Sequence, residues 1–132
     1  IIPTENGDVL HALKASEDSF TSFGEAYFST VLPGKTKGWK KHTRMVLNLV
    51  VPVGEIRFVL MDDRADSHTR GSFFECTLSR NQYRRLTIPP GIWVAFHGVG
   101  SGENMLLNLA SIPHDPTEAE NLPLKNEYIN YN

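Results

Sequence analysis

Apolar and polar positions along this chain alternate in short blocks, and turn residues break the blocks about every ten positions. Residues 45–53 (MVLNLVVPV) form an apolar, β-branched run ended by Gly54, the pattern of a strand buried on both faces or lining a sandwich. Residues 55–60 (EIRFVL) alternate and then become solidly apolar, and residues 72–78 (SFFECTL) alternate again. A short strand at 86–88 stops at Pro89-Pro90-Gly91, because two prolines and a glycine punctuate a hydrogen-bonded ladder. Residues 92–96 and 105–110 complete the set, with Gly98, Gly100 and Gly102 marking the hairpin between them, and an earlier strand at 26–32 closes at Pro33-Gly34. The one helix-like stretch, residues 8–16, is short and amphipathic at best. Short strands at this spacing predict an all-β sandwich or barrel.

Size supports that reading. The 132 residues are one domain's worth, with residues 1–20 as an N-terminal segment and the polar, acidic residues 116–132 as a peripheral arm. At 40% hydrophobic and 21% charged residues the chain can bury a core, which excludes wholesale disorder. The single cysteine, Cys76, excludes an internal disulfide and a multi-cysteine zinc site. No apolar run approaches the ~20 residues that cross a bilayer, and no basic-then-apolar start resembles a signal peptide, so a cytoplasmic setting without membrane contact is expected.

Net charge is −2, which argues against a nucleic-acid-binding surface. The distribution is more informative. Five basic side chains (Lys35, Lys37, Lys40, Lys41, Arg44) and His42 fall in ten residues without an acid, which suggests a local anion site. On an extended strand, Lys40, His42 and Arg44 share one face, while Trp39 and Lys41 share the other. Either face turned inward carries a cation into a partly enclosed space, where an anion must compensate its lost hydration. A lysine or histidine placed for proton transfer beside an anionic ligand is the functional reading; a solvated edge strand whose lysines discourage aggregation is the bland one.

Other positions carry weaker signals. Asp62 and Arg64 at a strand end read first as a pair that pins a loop. Trp93 is a core residue or a stacking platform for a base or sugar. Asn48 and Asn108 interrupt apolar strands, so each is a structural hydrogen-bonder or a lining group. None of the five histidines has another one residue away, the spacing that aims two imidazoles at one ion, and no metal or cofactor is expected. There is also no glycine-rich phosphate loop and no Gly-x-Ser-x-Gly elbow.

Three segments in order resemble the dTDP-4-dehydrorhamnose 3,5-epimerase family of metal-independent cupins. Lys37-Gly-Trp-Lys-Lys-His42 resembles the family's Arg-Gly-Leu-His-x-Gln. The segment from Gly54-Glu55 through Asp62-Asp-Arg64 to Ser67-x-Thr69 is similar to its Gly-Glu-Val…Asp-x-Arg…Ser-x-Thr. Leu86-x-Ile-Pro-Pro-Gly-Ile-Trp-Val-Ala-Phe96 resembles its Ile-Pro-Pro-Gly-Phe-Ala-His-Gly-Phe. The resemblance implies a jelly-roll barrel, a homodimer and a pocket for a nucleotide-diphosphate sugar. Its catalytic histidine matches Lys40, a second histidine matches Val94, its tyrosine matches Asn108, and the carboxylate supporting the base falls near Asn132. The phosphate-binding arginine keeps its charge as Lys37, and a substrate-side glutamine matches Glu25.

The expected activity is therefore an epimerase- or isomerase-like reaction on a nucleotide-linked keto sugar, with altered catalytic groups, within polysaccharide synthesis. Lys40 or His42 transfers the proton, Lys37 and Arg44 hold the diphosphate, and Glu25, Tyr27, Asn48, Asn108 and Trp93 contact the ligand. The alternative is a non-catalytic cupin that binds a sugar nucleotide or stabilises a partner enzyme.

Overall fold

The computed structural model describes residues 1–131, and among them nine strands and one 3-10 turn form the regular structure. The strands are β1 (Glu25–Thr30), β2 (Thr36–His42), β3 (Leu47–Val53), β4 (Glu55–Asp62), β5 (Phe73–Ser79), β6 (Leu86–Ile88), β7 (Ile92–Gly98), β8 (Met105–Ala110) and β9 (Ala119–Asn121). They make two antiparallel sheets, ordered β1-β8-β3-β6 and β5-β4-β7-β2-β9. Seven of the nine lie within two residues of the segments read from the pattern, and β2 covers the basic segment weighed as an extended strand. The ninth, β9, is three residues of Ala-Glu-Asn, too short and polar to carry a periodic signal.

Period-two alternation decides what each sheet buries. Leu47, Leu49 and Val51 of β3 face Ile56, Phe58 and Leu60 of β4 across the main core, joined by Leu78, Ile88 and Leu106. The turn between β3 and β4 requires Gly54: its φ is +77°, and a Cβ there would sit 2.2 Å from the Glu103 carbonyl oxygen. On the outer face of the five-stranded sheet a second cluster forms from Trp39, Val59, Met61, Trp93, Ala95 and Ile129. Ile129 comes from the acidic tail. That tail enters the structure at its start, where the Pro116–Glu118 turn buries Glu118 and β9 pairs with β2.

Residues 8–16 do not form a helix; turns and an isolated bridge between Ile2 and Val9 replace it. The carbonyls of His11 and Ala12 are taken instead by Tyr83 Oη (2.8 Å) and Arg85 Nη1 (2.9 Å), and so short a segment has little helical stability to set against them.

Candidate active site

The core does not fill the space between the sheets. Strands β1, β8 and β3 form one wall of a cavity of about 340 Å³, and β2, β7 and β9 form the other, a volume in the range of small-molecule sites. The first wall contributes Tyr27, Ser29, Leu47, Leu49, Leu106 and Asn108. The second contributes Lys37, Lys40, His42, Val94, Phe96 and Asn121.

A bulge in β2 brings Lys37, Lys40 and His42 to one side. Lys37 pairs with Phe96 and Lys40 with Val94, so three steps on β2 match two on β7. Without the extra residue, Lys37 would share the outward face of Trp39; with it, Lys37, Lys40 and His42 all line the hollow. Gly38 allows the bulge, because its φ is +136° and a Cβ would stand 2.7 Å from Ala95 Cα. Lys41, the remaining basic residue of the strand, points outward to Asp63 at 2.9 Å and over the Trp93 ring at 5.1 Å.

His42 is buried, and its Nδ1 forms a close hydrogen bond with Glu118 Oε1. The other carboxylate oxygen accepts from three successive amides, Thr43 (3.2 Å), Arg44 (3.1 Å) and Met45 (3.2 Å). Burial pushes the Glu118 carboxyl up, but the His42 bond and the Arg44 and Met45 amides outweigh it and hold the group below its usual range. An ionised carboxylate can only accept, so Nδ1 of His42 carries the hydrogen of this bond and Nε2 is the ring nitrogen left available. Neither Lys37 nor Lys40 has a carboxylate in ion-pair range among the described residues; Lys37 Nζ reaches Ser29 Oγ at 3.3 Å and lies 6.0 Å over the Phe96 ring. On the facing wall Asn108 Nδ2 donates to Tyr27 Oη at 3.0 Å, and Asn108 Oδ1 is buried with no partner.

Five of the nine expected site residues meet here: Lys37, Lys40, His42, Tyr27 and Asn108. Four do not line the hollow. Arg44 lies beyond the end of β2, in a bend wrapped around the Glu118 carboxylate, where alternation no longer applies; its guanidinium is solvent-exposed and pairs with Asp115 at 2.9 Å. Trp93 has the opposite parity to Val94 and Phe96, so it packs on the outer face and donates from Nε1 to Asp63 at 3.1 Å. Asn48, between inward Leu47 and Leu49, turns outward to Thr87 (2.6 Å) and the Ser19 carbonyl (3.2 Å). Glu25, at the start of β1 opposite Ala110, stops short of the cavity.

Glu118 is the functional group that the sequence reading missed. Nothing near it in sequence announces a partner, since it reaches a histidine 76 positions away. The position matched to the supporting carboxylate, Asn132, lies outside the described residues. Asp62 serves a structural purpose, accepting from Arg64 Nε and Nη2 (both 3.0 Å) and from the Ser67 and Thr69 hydroxyls. The Arg64 fork above all, against opposing burial and with help from those hydroxyls, holds its carboxyl far below the usual range. Among the described residues no three His, Cys, Asp or Glu side chains converge as metal ligands would.

A two-sheet jelly roll with a polar hollow between its walls is the architecture of the cupins. Over 99% of this chain and 84% of its own, a dTDP sugar isomerase from Desulfovibrio desulfuricans G20 is 42% identical, with a TM-score of 0.94. The probable low-salt glycan biosynthesis epimerase Agl13 of Haloferax volcanii is 25% identical over 113 residues, 84% of this chain and 72% of that protein. The dTDP-6-deoxy-D-glucose-3,5-epimerase RmlC of Legionella pneumophila Philadelphia 1, solved with dTDP-4-keto-L-rhamnose, shares the fold at a TM-score of 0.83 and 20% identity, covering 93% of this chain and 69% of that one. No family model matches the chain. The chain belongs to the RmlC-like family of dTDP-sugar epimerases and isomerases.

Proposed function

We propose that this protein catalyses proton transfer next to the ketone of a dTDP-linked 4-keto-6-deoxy sugar during glycan synthesis, with His42 as the base. The observation that carries the reading is the buried His42–Glu118 pair beside two uncompensated lysines in one hollow. Glu118 fixes the tautomer and ring orientation and favours the imidazolium that forms when Nε2 takes a carbon-bound proton. The departing electron pair becomes an enolate, and the Lys40 ammonium, two residues from His42 on the same face, offsets the charge on its oxygen. Lys37, nearer the cavity mouth beside Ser29, supplies positive charge for the diphosphate. The ligand solved with the Legionella relative, dTDP-4-keto-L-rhamnose, has both features that such a site requires, an anionic diphosphate and a ketone.

The catalytic group is thus offset by two residues from the family position. The resemblance aligns the family histidine with Lys40, and the carboxylate-held imidazole stands at 42 on the same face. We further propose a homodimer acting in the cytoplasm. Phe28 of the edge strand β1, with Phe23 before it and Leu32 after it, leaves an apolar border that a second copy would cover.

The test is deuterium wash-in from solvent into dTDP-4-keto-L-rhamnose. Wild-type protein exchanges protons flanking the ketone, and His42→Ala lowers the rate by about 10²–10⁴-fold, whereas Lys40→Ala lowers it while sparing part of the binding. Binding by both variants with wild-type exchange rates would remove these residues from the chemistry. Binding without exchange by the wild type would favour the non-catalytic alternative.

A further inference from the structure

We infer that Asn108, with Tyr27 beside it, determines substrate specificity by reading one ring hydroxyl of the sugar: the hydroxyl donates to Asn108 Oδ1 and accepts from Tyr27 Oη. This rests on the reading of the hollow as the site of a dTDP-linked keto sugar, and it adds a requirement on that sugar, a free hydroxyl turned to the four-stranded sheet. Alternation along β8 sends Leu106, Asn108 and Ala110 to the buried side, so an amide stands in an otherwise apolar row. Asn108 is 1% exposed and lines the hollow between its cross-strand neighbours, Leu49 of β3 and Tyr27 of β1.

The two ends of this amide are treated unequally. Nδ2 donates to Tyr27 Oη at 3.0 Å, whereas Oδ1 is buried without a partner. The buried asparagines 48 and 104 are satisfied at both ends. Asn48 Oδ1 accepts from Thr87 Oγ1 at 2.6 Å, and its Nδ2 donates to the Ser19 carbonyl at 3.2 Å. Asn104 Oδ1 accepts from the Glu55 amide at 2.9 Å, and its Nδ2 donates to the carbonyls of Val31 (3.3 Å) and Gly100 (2.9 Å). Those two amides hold the scaffold together; the oxygen of Asn108 holds nothing. Leu49 on one side has no polar hydrogen to give, and Tyr27 on the other meets Nδ2, so the donor that completes Oδ1 comes from the hollow. A leucine would occupy the position at less cost, because a buried oxygen left unpaired forfeits its hydration.

The pair also defines which group of the ligand it meets. With its oxygen accepting from Asn108, the Tyr27 phenol has no acceptor for its own hydrogen among the described residues. An acceptor and a donor side by side match a hydroxyl, which gives one hydrogen bond and takes another. A ketone has no hydrogen for Oδ1, and a methyl group serves neither partner. The rest of this wall offers little else: Leu47, Leu49 and Leu106 are apolar, and Ser29 Oγ accepts from Lys37 Nζ. A deoxy carbon in place of the hydroxyl leaves Oδ1 unpaired inside the complex, the circumstance in which a binding site rejects an analogue most strongly.

The experiment measures dissociation constants by calorimetry for dTDP-4-keto-L-rhamnose, for its 2-deoxy and 3-deoxy analogues, and for dTDP, which reads the nucleotide part alone. The wild type is expected to bind one of the deoxy analogues about 10–10²-fold more weakly than the parent sugar. In Asn108→Leu, which keeps the number and branching of heavy atoms, the parent weakens by a similar factor and that analogue does not, so the discrimination disappears. Tyr27→Phe, at the 42% exposed rim of the hollow, loses part of the same discrimination and decides the matter if Asn108→Leu does not fold. Discrimination that survives undiminished in Asn108→Leu, or in Tyr27→Phe where the first variant is unfolded, would overturn the role. A wild type that binds the parent sugar no more tightly than dTDP overturns the keto-sugar reading and this role with it. Tight and equal binding of the parent and both analogues overturns the role alone.

Discussion

Glu118 is 2% exposed and yet ionised, which water cannot explain. Its charge is stabilised by one imidazole and three backbone amides, an arrangement of successive N–H groups that acts as an anion nest. The consequence for pH has a definite sign. The folded-state pKa lies below the unfolded value near 4.5, so the contribution to stability is complete above that value and disappears as pH falls through the lower, folded one. Glu118→Gln removes the charge while keeping most of the volume. Its destabilisation relative to wild type, measured by urea unfolding, is expected to be largest at pH 7 and to shrink steadily below about pH 4.5. A gap that is constant with pH would mean that the charge contributes nothing. The same variant should slow deuterium wash-in, because Nδ1 of His42 then loses an anionic acceptor.

At the scale of the element, β2 carries most of the site, and its bulge decides which side chains the hollow receives. The peptide at Gly38 approaches Ala95 so closely that no side chain fits, and its φ of +136° is unfavourable for any L-residue. Gly38→Ala is therefore expected to cost about 1–3 kcal/mol and to disturb the Lys37 position. Thermal unfolding reads the first effect, and weakened binding of dTDP, with a flatter salt dependence, reads the second. An alanine variant with wild-type Tm and wild-type dTDP affinity would show that the bulge does not depend on the glycine. Alternation along β2 was visible from the sequence beforehand, with Lys40 and His42 on one face and Trp39 and Lys41 on the other, but which face turns inward was decided by the sheet packing. The bulge was not visible, since one inserted residue leaves no mark on composition, and by strict alternation Lys37 belongs to the outer face. Arg44 was misplaced for the related reason that period two holds only while the strand lasts, and β2 ends at His42.

Across the whole molecule, the acidic tail ties the site to the outer cluster. Its first residues supply Glu118 and β9, and its last described ones lay Ile129 against Trp39 and Trp93. Asp63 helps to anchor that region: burial raises its carboxyl, but bonds from Tyr128, Lys41 and Trp93 outweigh burial and keep it below the usual range. Ile129→Ala is expected to cost about 2–5 kcal/mol in urea unfolding, a value for a buried aliphatic side chain rather than for a loose arm. A cost below about 0.5 kcal/mol would show the tail to be peripheral after all. The proposed homodimer is tested at this scale too. Phe28→Glu should sediment as a monomer with an unchanged circular dichroism spectrum, and an unaltered sedimentation coefficient would exclude the β1 border as the contact.

Local pattern was enough to specify most of the strands, the all-β class, the basic segment and the pinned Asp62–Arg64 loop, because alternation, turn residues and adjacent charges are properties of neighbours in the chain. It also placed Lys40 and His42 on one face. The pairing of His42 with a carboxylate 76 residues away, the turning out of Trp93 and Asn48, and the meeting of Tyr27 with Asn108 depend on how strands stack and which residues fall opposite one another. Those relations arise from packing between segments remote in sequence, where sidedness and register are settled by the core as a whole. No window of neighbouring residues contains that information.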